Sequence, residues 1–289
     1  MTEAETKQIV TDSFKAGKAD VHINMAGRGE DISTLAREAI KSDCKIVVAG
    51  GGDGTISAVA EKIIGTGKIL GILPLGTLNH FAKDLNIPME IDDAVQIILA
   101  GHTANVDVGE VNGRIFVNNS SLGLYPDVVR AREHRQRLGY GKWISLLRSA
   151  VEVLRRHPLI DIELKVKGEE MTARTPFIFI GNNEYKMDGF NIGSRSRIDD
   201  GKLSLYMTTL TGRLALLQIA IRASFGDLSQ VKDFVSLTTD EVTIKTRHKQ
   251  MRVAMDGEVS MLRSPFNFRT RPGALTVLVP AEKDVEASE

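Results

Sequence analysis

The feature that most limits how this chain can fold is the run Gly50-Gly51-Gly52-Asp53-Gly54-Thr55, set between two apolar segments of different period. Ahead of it stands the uninterrupted apolar stretch Ile46-Val47-Val48-Ala49, suited to a parallel strand buried on both faces. Behind it Ile56, Val59, Ala60, Ile63 and Ile64 recur at helical spacing. The order is strand, glycine turn, helix. Glycine offers no side chain to obstruct a ligand and tolerates positive φ, so backbone amides in such a turn can approach an anion closely. The helix N-terminus adds partial positive charge. Asp53 would repel a bare phosphate but could hold magnesium or position a phosphate chain through it. A tight structural turn is the competing reading, although three consecutive glycines before Asp-Gly-Thr exceed what a reversal needs.

Helix and strand alternate around this turn from residue 32 to about residue 107. A helix carries Leu35, Ala36 and Ile40 on one side, and a short strand over 69–73 breaks at Pro74. A helix over 79–85 follows, then a third that Asp92 would cap and Gly101 close. Residues 2–15 read as a helix, and 21–23 as a short strand leading to Asn24. The expectation for residues 1–105 is an α/β domain with an open, Rossmann-like sheet. Beyond it Ile160, Ile162, Leu164 and Val166 alternate with Asp161, Glu163, Lys165 and Lys167, as in a half-exposed antiparallel strand. Similar strands are expected near 177–180, 203–207, 242–245, 252–255 and 275–279, with helices over 141–156 and 213–224. Residues 106–272 are therefore expected to form a mainly antiparallel β-sandwich domain. Residues 273–289 would supply a strand returning toward the first domain and a frayed tail. A chain of 289 residues is long enough for two such cores.

Neither common nucleotide fingerprint fits the glycine turn: no lysine follows it as in a P-loop, and its spacing is not Gly-x-Gly-x-x-Gly. Paired with Leu73-Pro74-Leu75-Gly76-Thr77-Leu78-Asn79-His80-Phe81-Ala82, however, Gly51-Gly52-Asp53-Gly54-Thr55 resembles the diacylglycerol kinase and bacterial lipid kinase family. The similarity runs from about residue 20 to residue 280. It implies that Gly51, Gly52, Asp53, Gly54, Thr55, Ile56 and Ser57, with Thr77, bind ATP, and that Asn24 lies near the nucleotide. Many members carry alanine and aspartate where Leu78 and His80 stand. They also usually begin with a strand ending in Asn-Pro-x-Ser-Gly or a close variant, for which this sequence has no counterpart.

Two later motifs extend the resemblance. Asp199-Asp200-Gly201-Lys202-Leu203 is similar to a site where family members hold structural magnesium, which implies Asp200 with the carbonyls of Arg197 and Lys202. Read alone, it is an Asp-Gly turn entering a strand. Asp256-Gly257-Glu258 reads locally as a hairpin turn between 252–255 and 259–262. In the family the glutamate at this place is the proposed general base. The implied enzyme is a phosphotransferase with ATP, Mg2+ and a lipid hydroxyl, diacylglycerol first among the acceptors. Asp53 and Glu258 are its catalytic candidates, on two domains expected to form a cleft.

Lysine plus arginine equals aspartate plus glutamate at 37 each, so no overall field draws nucleic acid or an anionic membrane. A local patch is needed, and residues 130–156 supply one candidate. Arg130, Arg132, Arg135, Arg137, Lys142, Arg148, Arg155 and Arg156 are interleaved there with apolar side chains, fitting either a membrane-surface helix or the basic outer face of a packed one. With one cysteine, Cys44, and no charged-then-apolar leader, a cytoplasmic setting is expected, with peripheral contact at the inner membrane face. The six histidines show no metal-ligand spacing. Competing readings are NAD kinase, which shares a Gly-Gly-Asp-Gly turn, and a catalytically inactive nucleotide- or lipid-binding protein. Oligomeric state is not written in the pattern.

Overall fold

The computed structural model describes residues 3–27, 29–123, 159–188, 191–195, 197–208, 212 and 234–281. The helices expected over 141–156 and 213–224, the basic segment 130–156 and the tail beyond 281 lie outside them. The chain forms two compact units, residues 1–106 with 273–289, and residues 107–272.

The first unit is α/β. Its elements are α1 (Glu3–Ala16), α2 (Gly29–Lys41), β1 (Ile46–Gly51), α3 (Asp53–Ile63), β2 (Ile69–Pro74), α4 (His80–Asp84) and α5 (Ile91–Ala100). Strand β1 runs parallel to β2 from Ile46 opposite Ile69 to Gly51 opposite Pro74. Helix α3 packs on β1 through Ile56, Val59, Ala60 and Ile63, and α5 packs on β2 through Ala94, Val95 and Ile98. Strand β2 is buried along nearly its whole length, whereas in β1 Val47 and Ala49 are buried and Ile46 is exposed. Burial on both faces, expected for β1, belongs to β2. The reason is position: β1 stands at the edge of the sheet with β2 inside it.

Two other local expectations also change. Residues 21–23 form no strand; they run as irregular chain with Asn24 exposed, since no neighbouring strand pairs with them. The N-cap of α5 is Glu90 rather than Asp92, and the Asp92 carboxylate instead accepts the Ser13 hydroxyl from α1. The C-terminal expectation holds, with Gly101 in the left-handed conformation at φ 75°.

The second unit is built from strands. It contains most of β3 (Thr103–Val111), then β4 (Arg114–Phe116), β5 (Asn119–Gly123), β6 (Ile160–Val166), β7 (Glu169–Thr175) and β8 (Phe177–Asn182). There follow β9 (Tyr185–Asp188), β10 (Asn191–Arg195), β11 (Leu203–Thr208), β12 (Phe234–Thr239), β13 (Glu241–Thr246), β14 (Gln250–Met255) and β15 (Glu258–Arg263). The last strand, β16 (Phe266–Leu278), pairs with β13 through its first residues and, in the first unit, parallel to β2 through Val277. One sheet of the second unit is wholly antiparallel, in the order β12-β11-β8-β5-β14-β15; β16, β13, β6 and β7 lie side by side in the other. Alternating residues of both meet in one core that includes Leu164, Ile180, Leu205, Ile244, Val253, Phe116 and Phe268.

Tight turns set the registers here. Asn112-Gly113, Lys167-Gly168 and Asp256-Gly257 all have positive φ at both residues, the requirement of two-residue hairpins that match strand twist. The Asn112-Gly113 pair that joins β3 to β4 is a legible hairpin signal that the sequence reading passed over. Strand β7 gives no such signal, because most of its side chains face solvent. It exists because the turn at 167–168 lays it along β6, from Val166 opposite Glu169 to Ile160 opposite Thr175.

Phe116 is fully buried and meets the Phe268 ring edge-on with centroids 6.4 Å apart. Phe116→Ala is expected to cost about 3–5 kcal/mol of unfolding free energy, measured by urea denaturation. A loss below about 1 kcal/mol would show that this site does not carry the core.

Candidate active site

In the first unit the two glycine motifs touch. Leu75 N–H donates to Gly51 O at 3.1 Å, continuing the β1–β2 ladder one step past the strands. Beyond that point the backbones of Gly52 and Gly76 lie against each other: a Cβ on Gly76 would come within 2.3 Å of Gly52 Cα and 2.7 Å of Asn79 Oδ1. A Cβ on Gly51 would meet the Thr55 side chain at 2.6 Å. None of Gly50, Gly51, Gly52 or Gly54 has positive φ. Conformational freedom is therefore not what these glycines supply; what the structure shows is close packing, of Gly76 on Gly52 and of Thr55 on Gly51.

The second motif is tied down by Asn79, a buried residue in the left-handed conformation at φ 50°. Its side-chain amide donates to Pro74 O at 3.0 Å and Gly76 O at 2.8 Å, closing the loop that presents the exposed Thr77. Asp53 then joins the motifs. Its carboxylate accepts His80 N–H at 3.2 Å and Phe81 N–H at 3.1 Å, at the N-terminus of α4. An acidic group there satisfies amides that the helix leaves without partners. The role the structure gives the residue singled out for magnesium is holding α4.

Helix α3 has Gly52 as its N-cap with no side-chain cap bond, so Asp53, Gly54 and Thr55 form a first turn without a side-chain cap beside the loop bearing Thr77. Ile56, grouped with the ATP-contacting residues, is fully buried, and its amide donates to Gly52 O at 3.1 Å. That removes its side chain and amide from a ligand's reach. Asn24 lies exposed in the irregular chain before α2.

In the second unit, Asp200 sits on the turn into β11, where Gly201 has φ 65°. Arg197 bonds Asp199 through Nε at 3.1 Å and reaches Asp200 Oδ1 at 3.1 Å. The hydrogen bond and charge of Asp199, with the charge of Asp200, hold the Arg197 guanidinium above its ordinary pKa. Lys202 O accepts Asn183 N–H at 2.9 Å. The loop is anchored from beneath by Asp107, whose Oδ2 accepts Gly201 N–H at 2.6 Å and whose own N–H donates to Ile198 O at 2.9 Å. Sequence reasoning missed Asp107, although an acid between Val106 and Val108 in a buried strand was the available signal. Among the described residues no group of three or more His, Cys, Asp or Glu gathers. One carboxylate plus two carbonyls is nonetheless an oxygen-only set of the kind magnesium takes, and the Arg197 side chain on it is well exposed and displaceable.

The Asp256-Gly257 turn joins β14 to β15, placing Met255 opposite Glu258, which is exposed at the start of the edge strand. Asp256 is half-buried. Its carboxylate accepts three consecutive backbone amides, Val117 at 2.7 Å, Asn118 at 2.8 Å and Asn119 at 3.0 Å.

Known proteins match the chain along both of its units. Residues 2–111 match the diacylglycerol kinase catalytic domain family, and residues 126–279 match the YegS C-terminal NAD kinase beta sandwich-like domain. The chain is 26% identical over 262 residues to a diacylglycerol kinase of Staphylococcus carnosus (strain TM300), covering 90% of this chain and 84% of that protein. It is 27% identical over 290 residues to the diacylglycerol kinase of Staphylococcus haemolyticus (strain JCSC1435), covering 96% and 86%. The crystal structure of a diacylglycerol kinase from Bacillus anthracis str. Sterne shares its fold with a TM-score of 0.66 at 21% identity, covering 94% of this chain and 91% of that one. Another structure from that organism reaches a TM-score of 0.73 at 21% identity, covering 96% and 91%. With both halves matched, the second match alone spanning more than half of the residues, the chain belongs to the diacylglycerol kinase family with a YegS-type C-terminal domain.

Proposed function

We propose that this protein is an ATP-dependent lipid kinase that transfers the γ-phosphoryl group of ATP to a lipid hydroxyl, with diacylglycerol as the acceptor. The observation that carries this reading is the direct contact of the two glycine motifs at Gly52 and Gly76, beside the N-terminus of α3, which has no side-chain cap. Backbone amides at a helix start suit a phosphate chain. Thr55, Ser57 and Thr77 add hydroxyl donors around the same turn.

In the reaction the lipid hydroxyl oxygen bonds to the γ-phosphorus while the bond from that phosphorus to the β–γ bridging oxygen breaks, and ADP leaves with that oxygen. Glu258 takes the hydroxyl proton as general base. Catalysis of this kind depends chiefly on positioning and charge stabilisation, so one base and a fixed phosphate cradle form a sufficient minimal set. Asp53 holds α4 and with it the loop bearing Thr77; as a carboxylate beside the glycine turn it would help hold the metal that accompanies ATP. Asp200 with the carbonyls of Arg197 and Lys202 would hold a structural ion, and magnesium, when bound with ATP, would supply charge neutralisation on the phosphate chain.

The acceptor implies work at a membrane surface, on the cytoplasmic side. Among the described residues no helix is long and apolar enough to cross a membrane; the contact proposed with the lipid surface is peripheral.

Three measurements bear on this reading. Labelled ATP offered with dispersed diacylglycerol and, separately, with NAD should yield phosphorylated lipid and no phosphorylated NAD; the reverse would favour an NAD kinase. Glu258→Gln should lower kcat by about 10²–10⁴-fold with the KM for ATP held within about twofold, and full turnover would remove Glu258 from the mechanism. Gly76→Ala forces one turn to move away from Gly52, so ATP affinity measured by calorimetry should fall by at least about tenfold; an unchanged Kd would detach the turn contact from nucleotide binding.

A further inference from the structure

The turn that carries Glu258 holds a carboxylate that turn chemistry does not require. Asp256 and Gly257 have φ 47° and 88°. Asparagine or glycine serves the first of these positions as well as aspartate does. What aspartate adds is acceptor capacity. Its two oxygens take the Val117, Asn118 and Asn119 amides, and its own N–H donates to Asn119 O at 2.9 Å.

The segment that receives Asp256 is itself fixed from its opposite, carbonyl side. Val117 O accepts Arg195 Nη1 at 2.7 Å and Asn182 Nδ2 at 2.9 Å. Asn118 O accepts Asn182 N–H and the Tyr185 hydroxyl, both at 2.9 Å. Asn118 Oδ1 accepts Arg195 Nη2 at 3.2 Å. Arg195 is 6% exposed and Asn182 fully buried. Residues 117–119 are thus polarised, with three amides on an anion and their carbonyls on a buried cation and neutral donors. Charge-assisted bonds of this kind are short and direction-specific. A residue bonded to such a segment shares its fixed position, and Glu258 follows Asp256 by two residues on the same turn.

We infer that Asp256 is a positioning residue for phosphoryl transfer: its carboxylate, by gripping the amides of residues 117–119, sets the place from which Glu258 takes the lipid proton. The inference rests on the reading of Glu258 as the base. A displacement of about 1 Å in a reacting group can cost about 10² in rate, so the grip is worth that order in kcat without Asp256 touching substrate.

Asp256→Asn tests it, since asparagine suits the turn but sets an –NH2 group against amide donors. Asp256→Gly is the second variant, removing the carboxylate with no new donor. Both should unfold cooperatively, exchange the amides of residues 117–119 faster, and lose about 10²-fold in kcat with the KM for ATP within about twofold. The decisive readout is the double variant with Glu258→Gln. If Asp256 acts through Glu258, the double variant is no slower than Glu258→Gln alone. A double variant slower by the full Asp256→Asn factor, or wild-type kcat in both Asp256 variants beside an inactive Glu258→Gln, overturns the positioning role while leaving the base reading intact. Full activity in Glu258→Gln overturns the base reading and the inference together.

Discussion

The contact of Gly52 with Gly76 is the constraint on which the first unit's candidate site depends. Two parallel strands, β1 and β2, end side by side at Gly51 and Pro74, and each chain must leave the sheet at the same point. A side chain on Gly76 would meet Gly52 Cα at 2.3 Å and force the loops to shift, whereas one on Gly52 would reach Gly76 Cα only at 3.4 Å. Glycine at position 76 lets the loops lie backbone against backbone, so the start of α3 and the loop before α4 become one surface. Asn79 closes the second loop from inside and Asp53 ties it to the first. The site is therefore a property of two turns that neither turn has alone.

A common device recurs across both units. Asp53, Asp107 and Asp256 each turn a carboxylate toward backbone amides: those of α4, of the Asp200 loop and of residues 117–119. Hydrogen bonds from amides to a charged acceptor contribute about 1.5–3 kcal/mol each when the donors would otherwise lack partners. In each case the bonded element carries, or adjoins, a residue assigned to ligand or chemistry. These acidic residues serve as fasteners of the backbone.

The sequence disclosed most elements with a strong period or strong turn chemistry. The apolar run 46–49, the helix spacing after Thr55, the alternation from Ile160 to Val166 and the Asp-Gly turn at 256–257 all appear where expected. It failed where the deciding neighbour is remote in the chain. Strand β7 has no apolar face of its own, β1 lost its expected second buried face by lying at an edge, and 21–23 lacks a strand to pair with. Asp92 looked like a cap because it stands near a helix start, yet its partner is Ser13 in another helix.

The sequence by itself determined the two fold classes, the pair of glycine motifs and the candidate residues, because hydrophobic period and turn conformation are set by near neighbours. Only the tertiary structure decided what each polar group does. Asp53 meets Phe81 across 28 positions of chain and Asp256 meets Val117 across 139. A carboxylate's choice among metal, substrate and backbone amide is fixed by whichever donors folding brings within about 3 Å, and that distance is not encoded in any local pattern.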